Sequence, residues 1–243
     1  MRERGPNLIS AVKNWWHDQR QDSGFFSTSG KLLLVGYEFL HDSFPERRRQ
    51  RFGDIDYDWE FRVDTTSANV GWRARLIGLL NSPYQPVEPS LFREMMNSLP
   101  VDFSQFTFID IGSGKGRALL LASEYSFKRI VGIELLPELN SIAQENIRKF
   151  LAQRARASVI ESLCVDAGDY IFPQDALVVF LNNPLPEQGL RRLITNLEHS
   201  FQASRRPIFL VYANPVLEGA MTDSGLFRKR SGTHQYAIVE AAA

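Results

Sequence analysis

At 243 residues, 44% hydrophobic and 23% charged, the chain has room for one large domain, or one domain with an appended N-terminal piece, around a real apolar core. Its 28 Lys and Arg balance 28 Asp and Glu, so the overall charge gives no support to a nucleic-acid partner. The single Cys164 excludes an internal disulfide framework and suits a reducing compartment. Leu32-Leu-Leu-Val35 is far too short to span a bilayer, and the region of Trp15, Trp16 and His17 lacks the apolar core of a signal peptide. A cytoplasmic protein without a membrane segment is expected.

In chain order, Leu8, Ile9, Val12, Trp15 and Trp16 have the spacing of an amphipathic helix over about residues 8–20. A Ser/Gly-rich connection comes next at 22–30, and Arg47-Arg-Arg-Gln-Arg51 reads as a solvated basic face in preference to a nucleic-acid or acidic-partner contact. In Asp54-Ile-Asp-Tyr-Asp-Trp-Glu-Phe61, acids alternate with apolar residues, which predicts an extended segment with one wet acidic face. Tyr57, Trp59 and Phe61 then either pack on the main domain or wall an acidic approach for a cationic acceptor. The proline-rich stretch 81–90 cannot be regular structure. It is either a surface connector or a loop that closes over a ligand, with Tyr84 and Glu88 as contacts. Leu91, Phe92, Met95, Met96 and Leu99 then share one helical face.

The stretch Phe106-Thr-Phe-Ile-Asp-Ile-Gly-Ser-Gly-Lys-Gly-Arg117 organises the rest of the chain. A short β-rich run enters a turn with Gly112, Gly114 and Gly116, and an apolar segment without strand alternation leaves it: strand, glycine turn, helix. The dinucleotide fingerprint needs a third glycine where Arg117 stands, and the phosphate-loop pattern needs Ser or Thr where Gly116 stands. These residues alone admit a site for S-adenosylmethionine (SAM), a mononucleotide site, or a tight structural turn.

The pattern then repeats. Ile130-Val-Gly-Ile-Glu134 is a second strand ending in an acid, which either accepts hydrogen bonds from ribose hydroxyls or is a solvent-exposed strand end. Leu139, Ile142, Ala143, Ile147, Phe150 and Leu151 form a helical face after Pro137. A third strand over 157–165 leads to Asp166 and Ala167, and Leu177-Val-Val-Phe-Leu181 reads as a strand buried on both faces. Leu190, Leu193, Ile194, Leu197 and Phe201 mark the next helix, 207–213 a fifth strand ending in Asn214-Pro215, and 226–240 a hairpin around Ser231-Gly-Thr-His234.

Asp110-x-Gly112-x-Gly114-x-Gly116, with Glu134, Asp166 and this order of elements, resembles the class I SAM-dependent methyltransferases over residues 88–243. The resemblance implies an α/β, Rossmann-like fold: a seven-stranded, mostly parallel sheet with helices on both faces and a C-terminal antiparallel hairpin. Residues 1–87 would be a helical or irregular extension that serves as cofactor lid and recognises substrate. It further implies SAM as cofactor, held by Asp110, Gly112, Ser113, Gly114, Gly116, Glu134, Asp166, Ala167 and Asn182, with Asp166 at the adenine amino group.

The tip of the fourth strand, Asn182-Asn183-Pro184-Leu185, should lie beside the transferable methyl. It is similar both to the Asp/Asn-Pro-Pro-aromatic motif of amino-methylating enzymes and to the Asn-Asn-Phe segment of the non-SET histone-lysine methyltransferases. The latter also share a tyrosine-containing loop upstream, here Tyr84. This chain departs from the first motif at Leu185 and Pro186 and from the second at Pro184, and it lacks the histone enzymes' long basic tail. Asn182, Asn183 and Tyr84 are thus the candidate catalytic residues for methyl transfer to a nitrogen, with a lysine-like protein amine as the first expected acceptor. The alternatives are that the asparagines merely cap the turn, that a small molecule is the acceptor, or that the chain is a non-catalytic SAM- or nucleic-acid-binding module. His17, His41, His199 and His234 show no metal-ligand spacing and no Gly-x-Ser-x-Gly elbow occurs, so neither a metal site nor an acyl-transfer nucleophile is expected.

Overall fold

The structure, a computed structural model, describes residues 12–13, 16–17, 27–29, 31–34, 37, 55–66, 85–154, 159–182, 185–223 and 225–241. Five strands run parallel: β1 (Phe106–Ile111), β2 (Arg129–Glu134), β3 (Ile160–Cys164), β4 (Ala176–Asn182) and β5 (Ile208–Ala213). The last two, β6 (Arg228–Gly232) and β7 (Tyr236–Ala241), form an antiparallel hairpin whose β7 lies against β5. The seven-stranded order is β3-β2-β1-β4-β5-β7-β6, a Rossmann-like arrangement with the expected terminal hairpin. The chain winds outward through β1, β2 and β3 and then returns to β4 beside β1. The carboxyl ends of β1 and β4 therefore flank the topological switch point, where open sheets of this kind bind ligands.

Helices cover both faces: α1 (Ile55–Phe61), α2 (Pro89–Asn97), α3 (Arg117–Ala122), α4 (Pro137–Leu151), α5 (Glu187–Ala203) and α6 (Glu218–Thr222). Strand alternation sorts the core into two layers. Phe106 and Phe108 of β1, with Val178, Phe180 and Val211, pack against α2, α3 and the Ile147–Phe150 face of α4. Ile109 and Ile111, with Val179, Leu181 and Leu210, pack against Leu190, Leu193, Ile194 and Leu197 of α5. This is why β4 reads as a continuous apolar run: both of its faces are buried, as are those of β1.

The stretch expected to be extended is α1 instead. Period-two alternation would put Tyr57, Trp59 and Phe61 on one face. In the helix Tyr57 and Phe61, four apart, meet with ring centroids 4.8 Å from each other while Trp59 points outward, 84% exposed. Asp56 and Asp58 in the first turn complement the helix dipole, which the alternation count ignores. Every described position between 12 and 37 is helical, including 27–29, where a connection was expected; Thr28 there is fully buried, and tertiary burial overrides its weak helix propensity. The Arg47–Arg51 run lies outside the described residues. Among the described residues no helix is long and apolar enough to cross a membrane.

Candidate functional site

β1 delivers Asp110 to the carboxyl end of the sheet, and Gly112, Gly114 and Gly116 carry the chain around the turn with φ of 71°, 54° and 87°. Gly116 is needed twice over: its φ is left-handed, and a Cβ there would stand 3.3 Å from that of Ala143 on α4. The turn is hung on the neighbouring strand. The N–H groups of Gly112 and Ser113 both donate to the Ile133 carbonyl, at 2.8 and 3.0 Å, and the Gly116 N–H donates to the Ser113 carbonyl. Ser113 folds its hydroxyl inward against Gly132, where a Cβ would meet its Oγ at 2.7 Å. Its buried Oγ has no hydrogen-bond partner among the described residues, and its side chain packs beneath the turn.

Glu134 closes the turn from β2. One carboxylate oxygen accepts from the Gly114 N–H and the other from the Leu136 N–H, both at 2.8 Å. Burial pushes its pKa up, against these backbone hydrogen bonds that pull it down. Asp110, 3% exposed, has its pKa pushed up to about 8, first by burial and then by the neighbouring Glu134 carboxylate. Two carboxyls thus share the ends of adjacent parallel strands. A cationic ligand there would favour their ionised forms, whereas a phosphate would be repelled.

Past β3, Asp166 spends one oxygen on the Gly168 N–H at 2.8 Å, and its other lies 3.9 Å from Arg192. Ala167 beside it is buried. At the tip of β4 the Asn182 amide donates to the Gln85 carbonyl at 2.8 Å and accepts from the Asn214 amide at 3.0 Å. The exit of the proline-rich loop is therefore tied to the β4 tip, across 97 residues of sequence. Glu88 instead accepts from the Ser90 hydroxyl, at the start of α2. Tyr84 and Asn183 lie outside the described residues.

The structure brings together Asp110, the glycine turn and Glu134, sets Asp166 and Ala167 past β3, and holds Asn182 across the switch point. Sequence reasoning passed over Asn214 as a site residue, although Asn214-Pro215 repeats the asparagine-proline ending of β4 and Asn214 adopts a left-handed φ of 51°. It also passed over Lys115 and Arg117, whose charges inside an otherwise apolar motif were the available signal. Both are buried, and both bind the segment after α1: Lys115 Nζ lies 2.8 Å from Asp64, and Arg117 Nε lies 2.6 Å from the Thr65 hydroxyl. Their charges are committed to that segment, so the motif's cations do not form a phosphate cradle. Among the described residues no group of His, Cys, Asp and Glu has the arrangement of a metal site.

No family model and no curated protein sequence matches the chain. Solved structures with a similar fold include methyltransferases of several kinds. Magnesium protoporphyrin IX methyltransferase from Synechocystis with bound SAM is 16% identical, covering 62% of this chain and 75% of that one, with a TM-score of 0.43. An RNA methyltransferase from Salinibacter ruber in complex with S-adenosyl-L-homocysteine (SAH) is 20% identical, over 64% and 91%, at 0.45. A ribosomal protein L11 methylase from Lactobacillus delbrueckii is 14% identical, over 63% and 76%, at 0.45. At such identities and scores the likeness concerns the fold alone, and none of these proteins' acceptors carries over to this chain.

Proposed function

We propose that the chain is a SAM-dependent methyltransferase acting on a nitrogen, with residues 88–243 as the catalytic domain and 1–87 as an extension that contributes to acceptor recognition. The observation that carries this reading is the meeting of Asp110, the glycine turn and Glu134 at the carboxyl ends of β1 and β2, beside the β1/β4 switch point. The donor set fits the cofactor. SAM carries a sulfonium and an ammonium and no phosphate, and the turn offers carboxylates while its own cations are paired elsewhere.

In this reading Asp110 faces the cationic part of the cofactor, Glu134 its ribose hydroxyls, and Asp166 with the Ala167 backbone its adenine. When bound, the cofactor supplies an electrophilic methyl group. The protein's work is then positioning: aligning a neutral nitrogen lone pair and excluding water. Asn182 and Asn214, joined tip to tip, supply the polar edge that an amine or amide nitrogen would meet, with Tyr84 and Asn183 as further contacts. The resemblance of the Asn182-Asn183 tip to the non-SET histone-lysine enzymes supports a protein amine as the acceptor class.

Calorimetric titration with SAM and SAH tests the cofactor. Micromolar binding is expected, weakened at least about tenfold by Asp110→Ala and by Glu134→Ala. Equal affinity in the intact chain and both variants would overturn the site. Labelled methyl appearing in macromolecule-depleted extract, and in no protein fraction, would overturn the protein acceptor.

A further inference from the structure

Lys115 and Arg117 flank Gly116, and neither takes part in the proposed cofactor contacts. They are 0% and 2% exposed, and a cation so deeply buried is tolerated only where its charge and its hydrogen bonds are met. Among the described residues, one short segment some fifty residues upstream supplies partners to both. Lys115 Nζ donates to Asp64 Oδ1 and to the Thr66 carbonyl, each at 2.8 Å. Arg117 donates from Nε to Thr65 Oγ1 at 2.6 Å and from Nη2 to Asp58 Oδ1 at 3.2 Å, with its guanidinium 5.0 Å from the centre of the Tyr57 ring. The segment is organised for the purpose. Asp58 also accepts from the N–H groups of Thr65 and Thr66 at 2.7 and 2.9 Å, and from the Thr65 hydroxyl. Asn146 of α4 stitches the two sides together, donating to the carbonyls of Lys115 and Asp64 and accepting from the Asp64 N–H.

We infer that residues 57–66 are a clasp on the glycine turn, with Lys115 and Arg117 as positioning residues, so that the turn keeps its ligand-binding geometry only while the clasp is docked. Only the identity of the ligand rests on the proposed methyltransferase function. A turn with three left-handed glycines has many conformations open to it and must be fixed from outside. Glu134 fixes it at Gly114 from the β2 side; the clasp fixes it at Lys115 and Arg117 from the other. Loss of either anchor frees the turn that follows Asp110 and that Glu134 clamps at Gly114.

The pair Lys115–Asp64 makes the inference testable, because its two ends are unequal: the Lys115 side chain is fully buried, whereas that of Asp64 is 36% exposed. Asp64→Ala strands a buried cation, while Lys115→Met leaves a carboxylate that water can reach, so Asp64→Ala does the greater damage. The double variant, with no stranded charge, recovers to the level of Lys115→Met. Hydrogen–deuterium exchange on the full chain reads this directly. In Asp64→Ala the segments 57–66 and 112–118 exchange faster together, by about tenfold or more, while β7 is unchanged. SAH affinity, titrated on the same samples, falls by a similar factor and returns in the double variant. If Asp64→Ala does not fold, Lys115→Met carries the same comparison with a smaller change in both segments.

Faster exchange confined to 57–66, with the turn and the SAH affinity as in the intact chain, overturns the clasp. If the intact chain binds no SAH, the cofactor reading fails. The clasp is then judged by exchange alone: the two segments loosening together support it, and only 57–66 loosening refutes it.

Discussion

The tips of β1 and β2 and the tips of β4 and β5 stand side by side at one edge of the sheet, and they are held in different ways. At the first pair the backbone is locked by buried contacts: the Ile133 carbonyl takes two N–H groups of the turn, Glu134 clamps Gly114 and Leu136, and Lys115 and Arg117 anchor the far side. At the second pair, Asn182, Asn214 and the Gln85 carbonyl form a short chain of exposed hydrogen bonds. Such bonds are worth about 0.5–1.5 kcal/mol each and exchange readily with water. Under the proposed function the difference suits a division of labour in which one half would grip the cofactor and the other would be left adaptable for the acceptor.

The largest change expected is one that strikes both halves. Phe92 of α2 is fully buried and touches Phe108 of β1 and Phe180 of β4 with ring centroids 5.9 and 5.3 Å away. Phe92→Ala removes the packing that joins them and should destabilise the fold by about 3–5 kcal/mol in thermal or denaturant unfolding. A loss under about 1 kcal/mol would mean that the two strands are not supported in common.

Next comes a substitution confined to the cofactor half. At Gly132 a Cβ would lie 2.7 Å from both Leu119 Cδ1 and Ser113 Oγ and 2.9 Å from Ser113 Cβ. Gly132→Ala therefore pushes the glycine turn from beneath, with an overpacking cost of about 1–3 kcal/mol. SAH affinity in the folded chain should fall with it, whereas Phe92→Ala should weaken binding only through the unfolded fraction. Unchanged SAH affinity in Gly132→Ala would show that the turn yields without moving the ligand groups.

These two effects also mark how much was legible in the sequence. The glycine turn, Asp110 and Glu134 are encoded within some thirty residues, and their positions follow from strand ends and left-handed backbone, which local sequence displays. The succession of strands and helices and the terminal hairpin were equally open to reading, although β6 runs on into Ser231 and Gly232, which the sequence placed in the turn. The clasp was not, because its meaning lies in partners some fifty residues away. Seen alone, Asp54–Phe61 alternates like a strand, and the burial of Tyr57 beside Arg117 and Phe61, which favours the helix, shows only in the folded chain. Asn214 was hidden for the same reason: its link to Asn182 exists only because β5 pairs with β4, Asn182 opposite Ala213.

The pH dependence sharpens the comparison further, since raised carboxyl groups belong to the cofactor half. Asp110 titrates near 3.8 ordinarily and at about 8 in the fold. The folded chain therefore holds its proton more tightly than the unfolded one. That contribution to stability is complete below about pH 4 and is lost as the pH rises through about 8. Asp110→Asn should flatten unfolding profiles over this window. A cationic ligand favours the ionised form, so SAM affinity should rise with pH across the same range and binding should release protons, measurable by calorimetry in buffers of different ionisation enthalpy. Equal heats in all buffers near neutral pH would place the ligand's charge away from Asp110.

The smallest effect belongs to the acceptor half. Asn214→Ala removes one exposed hydrogen bond to Asn182 and relieves a left-handed backbone only if the chain can relax, so stability should shift by no more than about 1 kcal/mol. SAH affinity should match the intact chain, because the hydrogen bonds of Asn214 go to Asn182 and to the Gln235 carbonyl. Labelled-methyl transfer to a protein fraction is the quantity expected to fall, and Asn182→Ala should lower it further by also releasing the Gln85 carbonyl. If the two asparagines act as one unit, the double variant is no worse than Asn182→Ala alone. Additive losses would assign them separate contacts, and a fall in SAH affinity in Asn214→Ala would show that the two halves of the sheet edge are coupled after all.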